Sequence, residues 1–199
     1  MNRGFLLVIT GPSGVGKGTV LSLVRERNKD VFFSVSATTR PMRPHESEGK
    51  NYFFVDRARF EAMIRDGELI EHTEYCGNFY GTPLAPVTQM LEEGRVVVLE
   101  IETDGAAQIK RRHPEAIMVF IVPPDFVELE RRLKKRGTED EDQIRNRLVR
   151  AMEEYKVAQT FDYIIENDKL ENAANDLLAV IAAERCRTAR KLHILQGGK

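Results

Sequence analysis

This sequence predicts a three-layer α/β fold: a five-stranded parallel core sheet, with a small inserted α+β lobe and a charge-rich helical excursion. Three observations carry the prediction. Short apolar runs rich in β-branched residues, without strict alternation, recur at residues 5–10, 31–35, 96–101, 117–122 and 163–166, as parallel strands covered on both faces require. Helical patterns separate most of these runs, and alternating strand and helix build a doubly wound sheet. A glycine-rich turn, GPSGVG at 11–16, joins the first strand directly to the first helix.

The elements follow in order. The first strand, 5–10, enters the glycine-rich turn, and a helix over 17–27 leaves it. The second strand is expected at 31–35. From Ser36 to Pro83 the rhythm breaks: a strand at 52–55, a helix near 58–65 and a strand at 69–75 form the inserted lobe. The core resumes with a helix over 85–93, the strand at 96–101, a helix over 104–112 and the strand at 117–122. Pro123 and Pro124 interrupt there and open the charged excursion, with helices over 126–135 and 144–158. The last strand, 163–166, precedes one long helix from about residue 170 that closes the chain. The core thus comprises 1–35, 84–123 and 158–199, the lobe 36–83 and the excursion 124–157.

Composition narrows the partners. A chain of 199 residues holds one sizeable core. Its net charge of −1 gives no bulk attraction to nucleic acid or to a membrane surface, so neither is an expected partner and anion recognition has to be local. Cys76 and Cys186 are far apart and lack metal-ligand spacing, which fits a reducing compartment. No apolar run approaches spanning length, and 5–10 is too short for a secretion signal, so a cytoplasmic location is expected.

Gly11, Pro12, Ser13, Gly14, Val15, Gly16 and Lys17 match P-loop spacing, with Gly18 where Ser or Thr is usual and Thr19 one place later. Glycines let backbone N–H groups turn inward around phosphate oxygens, and a helix N-terminus adds partial positive charge. Lys17 supplies a mobile cation for the β- and γ-phosphates. In a strand–turn–helix setting this predicts a P-loop NTPase fold and a nucleoside triphosphate site, with ATP the expected occupant. Thr19, or a water held by Ser13, is the candidate for contact with Mg2+.

Residues 36–43, SATTRPMR, place Arg40 and Arg43 on either side of Pro41 just past the second strand. Pro41 and Pro44 push the preceding residues toward extended geometry, so both guanidinium groups belong to an extended loop. Two such forks suit a dianionic phosphate, and ligands of doubly wound sheets lie beyond the carboxyl ends of the strands. Taken alone, such a loop is more often plain basic surface.

It does not stand alone. With Tyr52, Glu71 and the run Gly77-Asn78-Phe79-Tyr80-Gly81-Thr82, the sequence resembles the guanylate kinase family, whose members phosphorylate GMP with ATP. The segments that carry the resemblance are GPSGVGKGT (11–19), FSVSATTRPMRPHESEGKNYFFV (33–55), GELIEHTEYCGNFYGTP (67–83), VVVLEIETDGA (96–106), KRGTEDEDQIRNRL (135–148) and YIIEND (163–168), in order over most of the chain.

The resemblance implies a division of labour. Arg40, Arg43, Tyr52 and Tyr80 would hold the phosphate of the acceptor, and Ser36, Glu71 and Thr82 would read guanine. Guanine offers O6 and N7 as acceptors and donates from its amine; a carboxylate suits its N1–H and N2–H2 edge, and adenine lacks that donor pair. Glu100 would contribute to GMP and magnesium recognition. Glu102 and Asp104 depart from the family's D-x-Q-G pattern, and a structural role at Glu102 is as open as a functional one. In the excursion, Arg136 and Arg147 match lid arginines, Arg132 and Arg43 would be further phosphate contacts, and Pro123, Pro124 and Gly137 are hinge candidates. Asn167 matches an adenine contact, and is equally a plain turn residue.

The implied reaction is ATP + GMP ⇌ ADP + GDP, with dGMP as a further acceptor and Mg2+ as cofactor, in a monomer or homodimer. Its catalytic residues would be Lys17, Arg43, Arg136 and Arg147. A kinase of the same fold with a ribose bisphosphate acceptor is one alternative, but would not need Ser36, Glu71 and Thr82. A non-catalytic phosphopeptide-binding module is another; the intact Gly16-Lys17 and both lid arginines speak against it.

Overall fold

The computed structural model describes residues 4–75, 77–135 and 141–195. The chain begins with β1 (Phe5–Thr10), α1 (Lys17–Arg27), β2 (Val31–Phe33), β3 (Ala37–Thr38) and β4 (Phe53–Phe54). It continues with α2 (Arg57–Arg65), β5 (Leu69–Tyr75), β6 (Asn78–Pro83), α3 (Leu84–Glu92), β7 (Val96–Glu100) and α4 (Thr103–Arg112). The remaining elements are β8 (Ile117–Val122), α5 (Phe126–Lys135), α6 (Glu141–Ala158), β9 (Tyr163–Glu166), α7 (Leu170–Arg185) and α8 (Thr188–Leu195).

The core sheet is five-stranded and parallel throughout, in the order β2-β7-β1-β8-β9. Alternation along each strand divides its side chains between two cores. Leu7, Ile9, Val98, Val119 and Ile121 pack on α1 and α7 through Val20, Val24, Ala173, Leu177 and Ile181. Leu6, Val8, Val97, Leu99 and Met118 meet Val87 of α3 and Ala106 and Ile109 of α4. With apolar surface needed on both faces, the central strands are apolar up to their carboxyl ends, which is why β1 reads as an unbroken run from Phe5 to Ile9.

The inserted lobe is a second sheet in the order β4-β3-β6-β5, closed by α2. Its small core is Ala37, Phe60, Met63 and Leu69, with Phe60 stacked on Phe79 at 5.4 Å between ring centroids. Antiparallel pairing sets Glu71 opposite Thr82. The charged excursion is the pair α5 and α6, joined through Leu129, Leu133, Ile144 and Ala151.

Two expectations are corrected. The second core strand ends at Phe33, and Ala37–Thr38 is a short strand of the lobe instead of loop. The single closing helix breaks at Cys186 into α7 and α8. Beside the break lies Glu184, only 1% exposed, whose carboxylate accepts from the Tyr163 hydroxyl at 2.8 Å. A buried carboxylate requires nearby cations; Arg187 and Arg190 supply them at 2.9 and 3.5 Å. The turn carries Arg190 over the ring of Phe5 at 4.2 Å. Among the described residues, no helix is long and apolar enough to cross a membrane.

Candidate active site

The site begins where the central strand ends. β1 delivers the glycine-rich turn, and α1 starts at Lys17 behind Gly16, whose φ of 94° and ψ of 21° are left-handed. No side chain caps α1 and no acid lies in its first turn. The start of the helix therefore presents positive partial charge to an anion. The Lys17 ammonium donates to the carbonyls of Gly11 at 2.5 Å and Pro12 at 3.2 Å, so it is folded over the turn.

Neighbouring elements brace this turn. The Asn167 amide, past the end of β9, donates to the Val15 carbonyl at 2.7 Å, and Arg132 of α5 donates to the same carbonyl at 3.1 Å. Arg132 also donates to the Asn167 carbonyl at 2.9 Å and to Glu128 at 2.7 Å. Both residues thus support the loop's backbone, a role the sequence did not suggest. Arg147 of α6 bonds the Ser13 hydroxyl, bringing the helical excursion onto the turn. Arg136 and Gly137 fall outside the described residues.

Beside β1, Glu100 is the residue paired with Ile9, which sets it at the carboxyl end of the sheet next to the turn. Solvent reaches it from the cleft, while the surrounding protein raises its carboxyl pKa by desolvation, opposed by the charge of Lys17. Thr19 is exposed on the first turn of α1.

The lobe builds a second polar centre. Glu71, 2% exposed, accepts from the Thr82 hydroxyl at 2.6 Å, and that hydroxyl lies 3.3 Å from the hydroxyl of Ser36. Three strands converge here, because β5 and β6 pair at Glu71 and Thr82 while Ser36 immediately precedes β3. Desolvation pushes the Glu71 carboxyl up to about 7, with the Thr82 hydrogen bonds pulling it down. Nearby, Arg40 pairs with Glu46 at 2.6 Å and lies 5.5 Å over the ring of Tyr52. Tyr52 and Tyr80 stand edge to face at 6.0 Å. Burial pushes the Tyr52 hydroxyl up to about 12, which keeps it a neutral donor. Glu46 also accepts from the backbone N–H of Arg43 at 2.9 Å, so one acid shapes the whole basic loop.

The structure therefore gathers Ser36, Glu71 and Thr82 in one cluster, and Arg40, Tyr52 and Tyr80 in another. Comparison with known proteins shows the family to which this fold belongs. The guanylate kinase family model matches residues 3–184. The chain is 50% identical over 188 residues to a guanylate kinase of Thermus thermophilus, covering 94% of this chain and 85% of the relative. It is 46% identical to one of Carboxydothermus hydrogenoformans, covering 100% and 98%. The crystal structure of guanylate kinase from Anaplasma phagocytophilum superposes with a TM-score of 0.81 at 34% identity, covering 95% of this chain and 90% of that one. The chain belongs to the guanylate kinase family.

Within that family frame, the two departures near β7 have local explanations. Glu102 is the N-cap residue of α4 and lies 4.0 Å from Arg150 of α6. Asp104 sits in the first turn of α4, where a negative charge complements the helix dipole. Arg150 is a residue that sequence reasoning missed. Its guanidinium lies 4.1 Å over the ring of Tyr75, which itself meets Tyr80 edge-on at 6.4 Å. One helical turn beyond Arg147, it links the helical excursion to the inserted lobe; a lone arginine in a charged helix carries no signal of that contact.

Proposed function

We propose that this chain transfers the γ-phosphoryl group of ATP to GMP, and to dGMP, producing ADP and GDP for purine nucleotide recycling in the cytoplasm. The observation that carries the reading is the buried Glu71–Thr82–Ser36 cluster. A carboxylate away from water needs donors, and the N1–H and N2–H2 groups of guanine are two on adjacent atoms. Adenine would leave that carboxylate without those two donors, which is how a hydrogen-bonding site rejects the wrong ligand.

Arg40 and Arg43 are assigned to the acceptor phosphate as charged forks, and the hydroxyls of Tyr52 and Tyr80 as neutral donors. The turn from Gly11 to Thr19 takes the triphosphate, and Asn167 borders the adenine. Lys17, Arg43, Arg136 and Arg147 neutralise charge on the transferring group, which is most of what phosphoryl transfer asks of a protein. The nucleophile is already a phosphate oxygen, so no side chain acts as a strong base. The domain roles follow: 36–83 receives GMP, 124–157 closes as a lid, and the core holds ATP.

The oxygen donors of Glu100, Ser13 and Thr19 fit Mg2+, a hard ion that takes one or two protein oxygens and draws its other ligands from phosphates and water. When bound it supplies charge neutralisation to the triphosphate. A coupled assay over GMP, dGMP, AMP, UMP and ribose 1,5-bisphosphate tests the reading. GMP and dGMP are the expected acceptors, and AMP turnover exceeding GMP turnover would overturn the assignment.

A further inference from the structure

We propose that one face of α4, made of Gly105, Gln108 and Arg112, positions the Glu71 carboxylate and so sets acceptor specificity without touching the acceptor. This rests on the assignment of Glu71 as the guanine reader.

The argument starts from the place of β5 in its sheet. β5 is the outer strand of the order β4-β3-β6-β5, so its outward backbone groups have no strand to pair with. Backbone polar groups shielded from water require partners. Side chains of α4 provide them on both sides of Glu71. Arg112 donates to the Ile70 carbonyl at 3.0 Å. Gln108 donates to the His72 carbonyl at 2.6 Å and accepts from the His72 N–H at 3.3 Å, imitating a strand's paired bonds. The residues before and after Glu71 are thereby tied to a helix of the rigid core, just after the register shift between Leu69 and Glu71.

Gly105 completes the device one turn earlier. Residues 105, 108 and 112 are spaced three and four apart, so they share a face of the helix. A Cβ on Gly105 would lie 2.3 Å from Glu71 Oε2 and 3.1 Å from its Cδ. The carboxylate therefore rests against the bare Cα of Gly105, and any side chain there would have to displace it. The helix supplies a stop on one side of the carboxylate, and Thr82 supplies a hydrogen bond on the other. Gly105 has no left-handed φ to explain it; the close approach is its physical requirement.

Gly105→Ala and the near-isosteric Gln108→Met test this in the full chain, alone and combined with Glu71→Gln. Displacing a reading group by about 1 Å costs up to roughly 100-fold. Gly105→Ala is therefore expected to raise the KM for GMP about 10- to 100-fold, with a smaller rise for Gln108→Met, and to lower GMP-over-AMP discrimination. The KM for ATP should change less than about twofold. If both act through Glu71, their effects on discrimination disappear in the Glu71→Gln background, which is the non-additivity expected of coupled residues. Three results would overturn the proposal: unchanged discrimination in both single variants, effects that simply add to those of Glu71→Gln, or a lowered Tm with the KM for GMP intact. If Glu71→Gln alone leaves discrimination unchanged, the guanine-reading assignment itself falls, and that outcome is distinct from the other three.

Discussion

Asn167 and Val15, 152 residues apart in sequence, are joined by a 2.7 Å hydrogen bond from the Asn167 amide to the Val15 carbonyl. Asn167 is 6% exposed and its own N–H bonds the Val122 carbonyl at 2.7 Å, so the end of the sheet grips the middle of the P-loop. The left-handed turn at Gly16 makes room for it: a Cβ there would approach the Asn167 amide nitrogen to 2.7 Å.

Asn167→Ala deletes that donor and leaves the Val15 carbonyl to Arg132 alone. Stability should fall by about 1–3 kcal/mol, and the KM for ATP should rise while that for GMP holds. Thermal unfolding and initial-rate kinetics check both parts; a lowered Tm with an unchanged KM for ATP would limit Asn167 to scaffolding.

Glu71 gives the protein a pH dependence with a definite sign. Its pKa is raised from 4.5 to about 7 by burial. The folded chain therefore keeps a proton that the unfolded chain has lost, and stability falls as pH rises from about 4.5 to about 7. This contribution is on the order of 3 kcal/mol. Glu71→Gln should flatten that segment of the stability curve, measured by urea unfolding at pH 5 and pH 8. GMP affinity should move oppositely, strengthening as the carboxylate ionises through pH 7. Comparison with Glu71→Gln separates this from ionisation of the nucleotide's own phosphate.

Among the described residues, Lys17 donates only to carbonyls of its own loop, at 2.5 and 3.2 Å, and those acceptors are easily exchanged for phosphate. Lys17→Ala should reduce kcat by roughly 1,000-fold or more, the scale of losing a principal charge stabiliser in phosphoryl transfer. Its Tm should stay near that of the parent. Turnover within tenfold of the parent would show that another cation does this work.

Arg40 is held between Glu46 and the ring of Tyr52. Arg40→Ala should raise the KM for GMP by about 10- to 100-fold, matching one charged hydrogen-bonded contact, with the KM for ATP unchanged. Parallel titration of both nucleotides by calorimetry distinguishes this from general damage, which would weaken both.

Residue order alone determined the five core strands, because a parallel strand covered on both faces needs an unbroken apolar run, as β1 and β8 display. It also determined the phosphate turn, since glycine spacing and the following lysine are local in sequence. Resemblance named Glu71, Thr82 and Ser36 one by one. Only the tertiary structure brought them within hydrogen-bond reach, because β5, β6 and the start of β3 meet through pairing between distant segments. The same holds for the break after α7, beside the buried Glu184, and for Arg150 over Tyr75. It holds most clearly for α4, where Gly105, Gln108 and Arg112 read as an ordinary helix face. Their meaning depends on an edge strand passing alongside, and no local pattern records which strand of a sheet lies at its edge.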